Sequence, residues 1–336
     1  MKYLFFFFTF ASLISCGSNN NITGQSTITG DIAKKHANSI TTSDLKDHLY
    51  IIASAEFEGR ETCEEGQKKA AEYLKHFYIA QGIKSPYGAG DYFQTIPTEH
   101  LNPNLKPSEN VIAFIEGSEK PEEIIVISAH YDHLGMNNGE IYYGADDDGS
   151  GTVAILEIAE AFQNAVKEGK GPKRSILFLH VTGEEKGLLG SKYYTNFPIF
   201  PLENTISNLN IDMIGRVDNI HENEPNYVYL IGSDKISNDL HELSEEINSR
   251  FTQLHLDYRY NDDEDPNRFY YRSDHYNFAK NNIPIIFYFN GTHEDYHRTT
   301  DTPDKINYEI LAKRAQLIFY TAWEIANRDE RLKINN

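Results

Sequence analysis

The segment Gly144–Gly151 carries three consecutive aspartates between glycine residues, directly ahead of an apolar run with helical spacing. Adjacent carboxylates repel one another, and burying even one of them is costly unless a counter-charge lies nearby. A divalent cation suits this role, because a bound cation is often the largest charge in a site. On its own, however, the segment is more typical of a solvated acidic turn before a helix. Its interpretation therefore depends on the rest of the chain.

Other side chains that can bind metal ions follow apolar runs elsewhere. His130 and Asp132 come directly after one such run, and a carboxylate two residues after a histidine can hold the imidazole in one tautomer. Glu184 and Glu185 follow a second run. Neighbouring glutamates at a strand end point in different directions. One of the two could therefore bind a metal ion while the other moves a proton.

Two more candidate ligands lie further along the chain. Asp212 follows the apolar run Ser207–Ile211, and His297 is followed four residues later by Asp301. Imidazoles and carboxylates are the ligands that catalytic zinc prefers. These residues are far apart in sequence, so a metal site requires a fold that brings them together.

The elements that must position these residues alternate along the chain. Helical spacing begins at Thr41 and recurs over Glu65–Gln81, Thr152–Val166 and Tyr308–Ala326. Six apolar runs have the composition of buried strands, namely Asn110–Ile115, Ile124–Ser128, Ser175–Val181, Ser207–Ile211, Tyr227–Ile231 and Ile283–Phe289. The alternation predicts a three-layer α/β fold, αβα, with a central mostly parallel or mixed sheet. Ligands bind beyond the carboxyl ends of strands in such sheets, which is where the candidates fall.

Together these motifs resemble the M28 family of metallopeptidases, the co-catalytic di-zinc aminopeptidases. The resemblance runs from Glu58-Gly59-Arg60 through Tyr308 and includes the segment Ser273-Asp274-His275. Five motifs occur in the family's order, which makes chance agreement a poor explanation. The resemblance implies the fold of the zinc exopeptidases, which is of the phosphorylase/hydrolase-like type.

The resemblance also implies a role for each candidate side chain. Asp147 would bridge two zinc ions, and each ion would take one further carboxylate and one imidazole: Asp212 and His130 for the first, Glu185 and His297 for the second. Glu184 would act as the general base and acid. Tyr270 matches a tyrosine that helps to stabilise the transition state in some members.

Three further aspartates would support these ligands. The resemblance places Asp132 and Asp301 behind His130 and His297 as their hydrogen-bonding partners. It places Asp148 after a cis peptide bond that follows the bridging Asp147.

The function implied is that of a metal-dependent exopeptidase that removes N-terminal residues from peptides. Zinc at such a site polarises a scissile carbonyl and activates water, and Glu184 would carry the proton to the leaving amine. Two alternatives stay open. One is a glutaminyl-cyclase-like zinc acyltransferase, which uses one zinc ion. The other is a catalytically inactive surface binding protein on the same fold, although such relatives typically lose ligands that this chain retains.

The N-terminus has the pattern of a targeting segment. Lys2 precedes the apolar run Tyr3–Ile14, which is too short to span a bilayer but has the length of a signal-peptide core. The following Cys16 lies in a sequence that resembles a bacterial lipobox, whose cysteine is lipidated. The alternative is an ordinary secretory signal with a chance cysteine.

These patterns predict how the chain is organised. Residues 1–15 form a lipoprotein signal peptide, residues 16–40 form the lipidated Cys16 with a flexible tether, and residues 41–330 form a single peptidase domain. The expected location is the bacterial cell envelope, with lipid anchoring at the outer membrane, facing the periplasm or the surface.

Composition limits the partners. The 336 residues carry a formal net charge of −19, which argues against nucleic acid as a partner and against anionic membrane surfaces except through a lipid anchor. The expected partners are peptides with a free N-terminus, and the expected oligomeric state is a monomer.

Three other histidines are assigned no metal. His133 is interpreted as a solvated loop residue, with a place in the pocket lining as the alternative. His180 is interpreted as a satisfied core residue within a strand, and His293 as a residue that does not bind metal despite lying four residues before His297.

Overall fold

The computed structural model describes residue 1, residues 22–88 and residues 90–336, and its centre is one large β-sheet. The strands are β1 (Phe93–Ile96), β2 (Ser108–Ile115), β3 (Lys120–His130), β4 (Met136–Asn137), β5 (Glu140–Ile141), β6 (Arg174–Val181), β7 (Thr205–Ile211), β8 (Tyr227–Ile231), β9 (His255–Asp257) and β10 (Ile285–Phe289). Eight of them form the sheet in the order β1-β2-β6-β3-β7-β10-β8-β9, and β4 and β5 form a separate hairpin. The four central strands β6, β3, β7 and β10 are parallel.

The helices cover both faces of the sheet. They are α1 (Ile22–Ala37), α2 (Thr42–Ile52), α3 (Glu65–Gln81), α4 (Gly151–Lys167), α5 (Leu189–Asn196), α6 (Asn238–Ile247), α7 (His275–Ala279) and α8 (Tyr308–Asn327). Helices α4 and α8 pack together against one face, with α1, α2, α3 and α6 around them, and the shorter α5 and α7 pack on the other face. The molecule therefore has three layers.

The apolar runs of the central strands are continuous because both faces of each strand are buried. In β3, Ile125 and Ile127 belong to the core beneath α4 and α8, whereas Ile124 and Val126 belong to the core beneath α5 and α7. Successive side chains of a strand point to opposite faces, so a strand between two helical layers needs apolar residues at every position.

The α/β prediction is confirmed, and the six predicted strands all form within a few residues of the expected ends. Several elements were not predicted, and most of them are short: strands β1, β4, β5 and β9 and helices α1, α5, α6 and α7.

The N-terminal region differs in part from the expectation. Helix α1 lies within the segment predicted to be a flexible tether, and Ala33, His36 and Ala37 are buried against the core. The packed part of the chain therefore begins before residue 41. The predicted signal segment and Cys16 lie outside the described residues. Within the portion that is described, no helix combines the length and apolarity needed to cross a bilayer.

Candidate metal centre

The carboxyl ends of three neighbouring parallel strands meet at one edge of the sheet. His130 is the last residue of β3, Glu184 and Glu185 follow β6, and Asp212 follows β7. Strand β3 pairs with both β6 and β7, so all four side chains are delivered to the same region. The topology thus brings together residues that are distant in sequence.

Asp147 lies between His130 and His297, two histidines that are far apart in the sequence. Its Oδ1 atom lies 3.2 Å from Nε2 of His130, and its Oδ2 atom lies 3.0 Å from Nε2 of His297. The turn that presents Asp147 starts at Gly144, where φ is +54° and a Cβ atom would lie 2.4 Å from the carbonyl oxygen of Asp147. Glycine is therefore required at that position.

Each histidine has a second carboxylate beside it. Asp212 Oδ1 lies 3.7 Å from Nε2 of His130, and Glu185 Oε2 lies 3.4 Å from Nε2 of His297. The five residues expected to bind metal are thus brought together as two imidazole–carboxylate pairs that share Asp147.

Two further residues join these groups. His133 is completely buried, and its Nδ1 atom lies 3.0 Å from Oε1 of Glu185. Asp148 has ligand atoms within 4.8 Å of those of His130 and Asp212. The interpretation of His133 as a solvated loop residue is therefore wrong. The short spacing in His130-Tyr131-Asp132-His133 was the signal that could have identified it.

Hydrogen bonds hold His130 in one orientation. Its Nδ1 atom lies 3.0 Å from the backbone carbonyl oxygen of Asp132, which leaves Nε2 directed at Asp147. The Asp132 carboxylate itself accepts hydrogen bonds from the Thr62 hydroxyl at 2.6 Å and from the Glu184 N–H at 3.2 Å. Asp132 thus fixes both an imidazole and the strand end that carries Glu184.

Asp301 supports a different group from the one expected. Its carboxylate accepts hydrogen bonds from the backbone N–H groups of Asp146 and Asp147, and so orients the aspartate turn and not the His297 ring. Asp148 accepts hydrogen bonds from the N–H groups of Gly151 and Met213. The peptide bond between Asp147 and Asp148 is cis, as the resemblance implies.

Arg60 is a buried cation beneath the site. It is 0% exposed, and its guanidinium donates hydrogen bonds to the backbone carbonyl groups of Ile52, Tyr131, Tyr143 and Gly144. Burial lowers the pKa of Arg60 to about 10, while the charges of Asp301 and Asp147 oppose that shift. From the sequence, Arg60 was identified only as part of the segment Glu58-Gly59-Arg60 that resembles the family.

The ionisable groups of the site shift one another strongly. Burial alone would lower the pKa of His297, but its bonds with Asp147 and Glu185 raise it to about 10. Burial raises the pKa of Glu184 well above its usual range; the charge of His130 opposes this, and the charge of Asp212 adds to it.

The donor set fits metal ions. Several of its buried atoms make no hydrogen bond of good geometry within the described residues, namely Nε2 of His130, Nδ1 and Nε2 of His133, Oδ2 of Asp147, Oδ2 of Asp148 and Oε1 of Glu185. Some of these atoms face one another at 3.0–3.2 Å without such a bond. Buried polar atoms are nearly always hydrogen-bonded, and a cluster of imidazole nitrogens and carboxylate oxygens that face one another in this way is a donor set that suits zinc.

A cavity opens onto these residues. Its walls combine carboxylates with apolar side chains, and they consist of Asp147, Glu184, Asp212, Met213, Phe269, Arg272, Phe287, Phe289, Thr292, Tyr296 and His297. Tyr270 is not among these lining residues. Its ring lies against Gly232, with the Lys235 Nζ atom 5.1 Å from its centre. The role in transition-state stabilisation expected of Tyr270 therefore stays a prediction.

The remaining histidines have structural partners. His293 Nε2 lies 3.1 Å from Oδ2 of Asp146, and His180 Nε2 lies 2.7 Å from the Tyr78 hydroxyl. Both side chains are buried outside the five-residue set. His180 is thus a buried strand residue with a hydrogen-bonding partner, as expected, and the interpretation of His293 as a residue that does not bind metal stays a prediction.

Comparison with known sequences identifies the family. The family "Peptidase family M28" matches residues 110–322. A "Probable aminopeptidase" of Saccharomyces cerevisiae is 28% identical over 240 residues, which cover 69% of this chain and 61% of that protein. The first three curated relatives are longer proteins, of which this chain spans 8%, 61% and 13%.

Solved structures share the fold. LapB from Legionella pneumophila has a TM-score of 0.70 at 22% identity, covering 88% of this chain and 75% of its own. A glutaminyl cyclase from Bacteroides thetaiotaomicron has a TM-score of 0.64 at 17% identity, covering 84% of this chain and 98% of its own. The family match spans more than half of the chain and contains His130, Asp147, Glu185, Asp212 and His297. The chain belongs to peptidase family M28.

Proposed function

We propose that this protein is an aminopeptidase that removes N-terminal residues from peptides with two zinc ions and Glu184 as the general base. The observation that carries the proposal is the position of Asp147, whose two oxygens face Nε2 atoms of different histidines at 3.2 and 3.0 Å. A carboxylate placed in this way suits a bridge between two ions. His130 and Asp212 would hold one ion, and His297 and Glu185 the other, with His133 beside Glu185.

Two zinc ions bound here would polarise the scissile carbonyl and make water a better nucleophile at neutral pH. Glu184 supplies the proton transfer. Its side chain lines the cavity, and its raised pKa suits a group that accepts a proton from water and returns it to the leaving amine. Asp132 holds the Glu184 backbone N–H, which fixes the start of the loop that carries this side chain.

The cavity also matches the two features of a peptide N-terminus. The carboxylates of Glu184 and Asp212 favour a positively charged α-amine at the inner end. The apolar walls formed by Met213, Phe287 and Phe289 would accept the side chain of the first residue. The acidic and apolar parts of the lining together favour binding of a peptide N-terminus, and hence cleavage of the first peptide bond over cleavage within a chain.

The proposal is tested by metal analysis combined with activity. Zinc content per chain is measured by elemental analysis, and release of a chromophore is followed on a panel of aminoacyl substrates before and after chelation. We expect two zinc ions per chain and release of N-terminal residues that stops on chelation and returns with zinc.

Other results would lead to a different function. One zinc ion per chain, with cyclisation of N-terminal glutamine, would indicate the acyltransferase that shares this fold. Bound metal without turnover of any substrate in the panel would contradict the aminopeptidase proposal and favour a binding role.

We further propose that the protein is lipid-anchored in the cell envelope through Cys16 and that one peptidase domain, predicted over residues 41–330, carries the activity as a monomer. The lipobox-like sequence before Cys16 supports the anchor. The continuous sheet that joins β1 to β10 supports a single domain.

A further inference from the structure

The cavity wall carries one cation that the proposed mechanism does not use. Arg272 lines the cavity together with Glu184, Asp212 and His297. Its side chain is exposed, and its guanidinium carbon lies 4.9 Å from the centre of the Phe269 ring, which is itself part of the wall. Stacking on an aromatic ring holds a guanidinium in place while its N–H groups stay free to bind a ligand.

Arg272 has no acidic partner within the described part of the protein. No carboxylate oxygen of these residues lies within 4.0 Å of its nitrogens, whereas such a partner exists for Arg174, Arg216, Arg250, Arg259 and Arg328. Five of the eleven arginines of the described chain have such a partner, so the lack of one does not by itself distinguish Arg272, and its place on the cavity wall does. Among the described residues that line the cavity, Arg272 is also the only lysine or arginine.

The cavity wall therefore carries acidic side chains and one basic side chain. Of the residues that line the cavity, Asp147 and Asp212 are buried, whereas Arg272 is exposed. A ligand with an ammonium group and a carboxylate matches this arrangement in both charge and direction. A short peptide has these two groups at its two ends.

We propose that Arg272 is a specificity-determining residue that binds a carboxylate of the peptide substrate. The carboxylate is the C-terminal group of a short peptide or the side chain of an acidic residue near the cleaved bond. Guanidinium binds carboxylate through two parallel N–H···O hydrogen bonds, which are stronger than bonds between neutral groups. The inference rests on the proposed function and names its substrate class, which is peptides with a carboxylate close to the N-terminus.

Binding to a chain that does not turn over tests this inference directly. The full chain with Glu184→Gln is loaded with zinc, and calorimetry gives the Kd of leucylglycine, leucylglycinamide and glutamylglycinamide. We expect at least one of the two peptides with a carboxylate to bind about tenfold more tightly than leucylglycinamide, the effect of one charge-assisted pair. Which peptide is preferred distinguishes a terminal carboxylate from an acidic side chain.

Variants then assign the preference to one residue. Adding Arg272→Gln should bring the Kd ratio between carboxylate and amide peptides close to one, and Arg272→Lys should retain part of the preference because the charge remains. Added salt should reduce the preference, since the pair is exposed.

Arg268→Gln is the matched control. Arg268 is also an exposed arginine stacked on an aromatic ring, with its guanidinium carbon 4.8 Å from the centre of the Tyr271 ring, but it is not among the residues that line the cavity. The control variant should keep the full preference for carboxylate peptides.

Three results would overturn the inference: equal binding of all three peptides, a preference that survives Arg272→Gln, or an equal loss in Arg268→Gln. Hydrolysis by the unmodified chain separates this inference from the proposed function. If the unmodified chain cleaves none of the peptides but their binding depends on Arg272, the carboxylate site stands and the aminopeptidase proposal fails. If the unmodified chain cleaves amide and acid peptides equally well, and the Glu184→Gln chain binds them equally, the aminopeptidase proposal stands and the carboxylate site fails.

Discussion

At the scale of single residues, the site combines two kinds of carboxylate whose different surroundings suit different tasks. Burial opposes ionisation of Asp147, but the imidazoles of His130 and His297 keep the pKa of its carboxyl well below the usual range. Glu184 has a raised pKa, chiefly because it is buried. A carboxylate that stays ionised suits a ligand, and one with a raised pKa suits proton transfer near neutral pH.

Replacing Glu184 with Gln should separate these tasks. We expect turnover to fall about 10²- to 10⁴-fold, as is typical when a general base is lost. Metal content should stay near two ions per chain, because Glu184 is not one of the proposed ligands. Elemental analysis and steady-state kinetics on the same preparation provide the measurement.

Asp147→Ala is the contrasting variant, since it should lose metal as well as activity. Near-normal turnover in Glu184→Gln would exclude this residue as the general base. A loss of metal in that variant would show that it is a ligand instead.

At the scale of elements, Arg60 connects segments that the sheet alone does not hold. Its four hydrogen bonds join the end of α2, the residue after β3 and the turn that begins the aspartate segment. The aspartate turn is thus fixed by a buried cation as well as by Asp301.

Arg60→Met should destabilise the fold by at least about 3 kcal/mol, because each buried carbonyl left without a partner costs about 1–3 kcal/mol. The free energy of unfolding is measured from urea denaturation. The control is Arg298→Met at an exposed position, which should change stability by less than about 0.5 kcal/mol. A similar small effect for Arg60→Met would mean that water satisfies these carbonyl groups.

The burial of His180 within strand β6 makes the stability of the fold depend on pH. Burial lowers the pKa of His180 to about 3 from 6.5, so this imidazole is neutral in the folded protein. The unfolded chain binds a proton at this residue below pH 6.5 and the folded protein does not, so acid favours unfolding. Stability contributed by neutral His180 is present above pH 6.5 and is lost progressively as the pH falls toward 3.

His180→Gln should therefore weaken the pH dependence of stability in this window. We expect the slope of unfolding free energy against pH to decrease by up to about 1.4 kcal/mol per pH unit relative to the unmodified chain. Urea denaturation at a series of pH values gives both slopes. Identical slopes for the two proteins would show that His180 does not titrate during acid unfolding.

At the scale of the whole molecule, membrane attachment and peptidase activity are predicted from different parts of the chain, the N-terminal signal and the peptidase fold. The lipobox-like sequence predicts that Cys16 carries lipid, and an acyl-chain anchor holds a protein on a membrane only if more than one chain is attached. Among the described residues the core begins at Ala33 in α1, and we expect folding of the peptidase domain not to require Cys16.

Cys16→Ser should accordingly move the protein from the membrane fraction to the soluble fraction without loss of peptidase activity. The measurement is fractionation of cells followed by an activity assay of each fraction. Cys63→Ser is the control, because Cys63 is the other cysteine and is buried in the domain. Membrane association that survives Cys16→Ser would exclude lipidation at this position as the anchor.

The sequence by itself determined the three-layer fold and the candidate ligands. Short continuous apolar runs such as Ile124–Ser128 are typical of strands covered on both faces, and ligands bind beyond the carboxyl ends of such strands. The amphipathic helices were predicted over Glu65–Gln81 and Tyr308–Ala326 because burial of one face imposes a period on the sequence, and they form as α3 and α8.

Only the tertiary structure decided which loop residues share the site. In the folded chain His133 is a buried neighbour of Glu185, Asp301 supports the aspartate turn, and Arg272 is a cation on the cavity wall. Loops have no periodicity, so nothing local indicates where such a side chain points. The packing of distant segments sets its position, and that packing exists only in the folded chain.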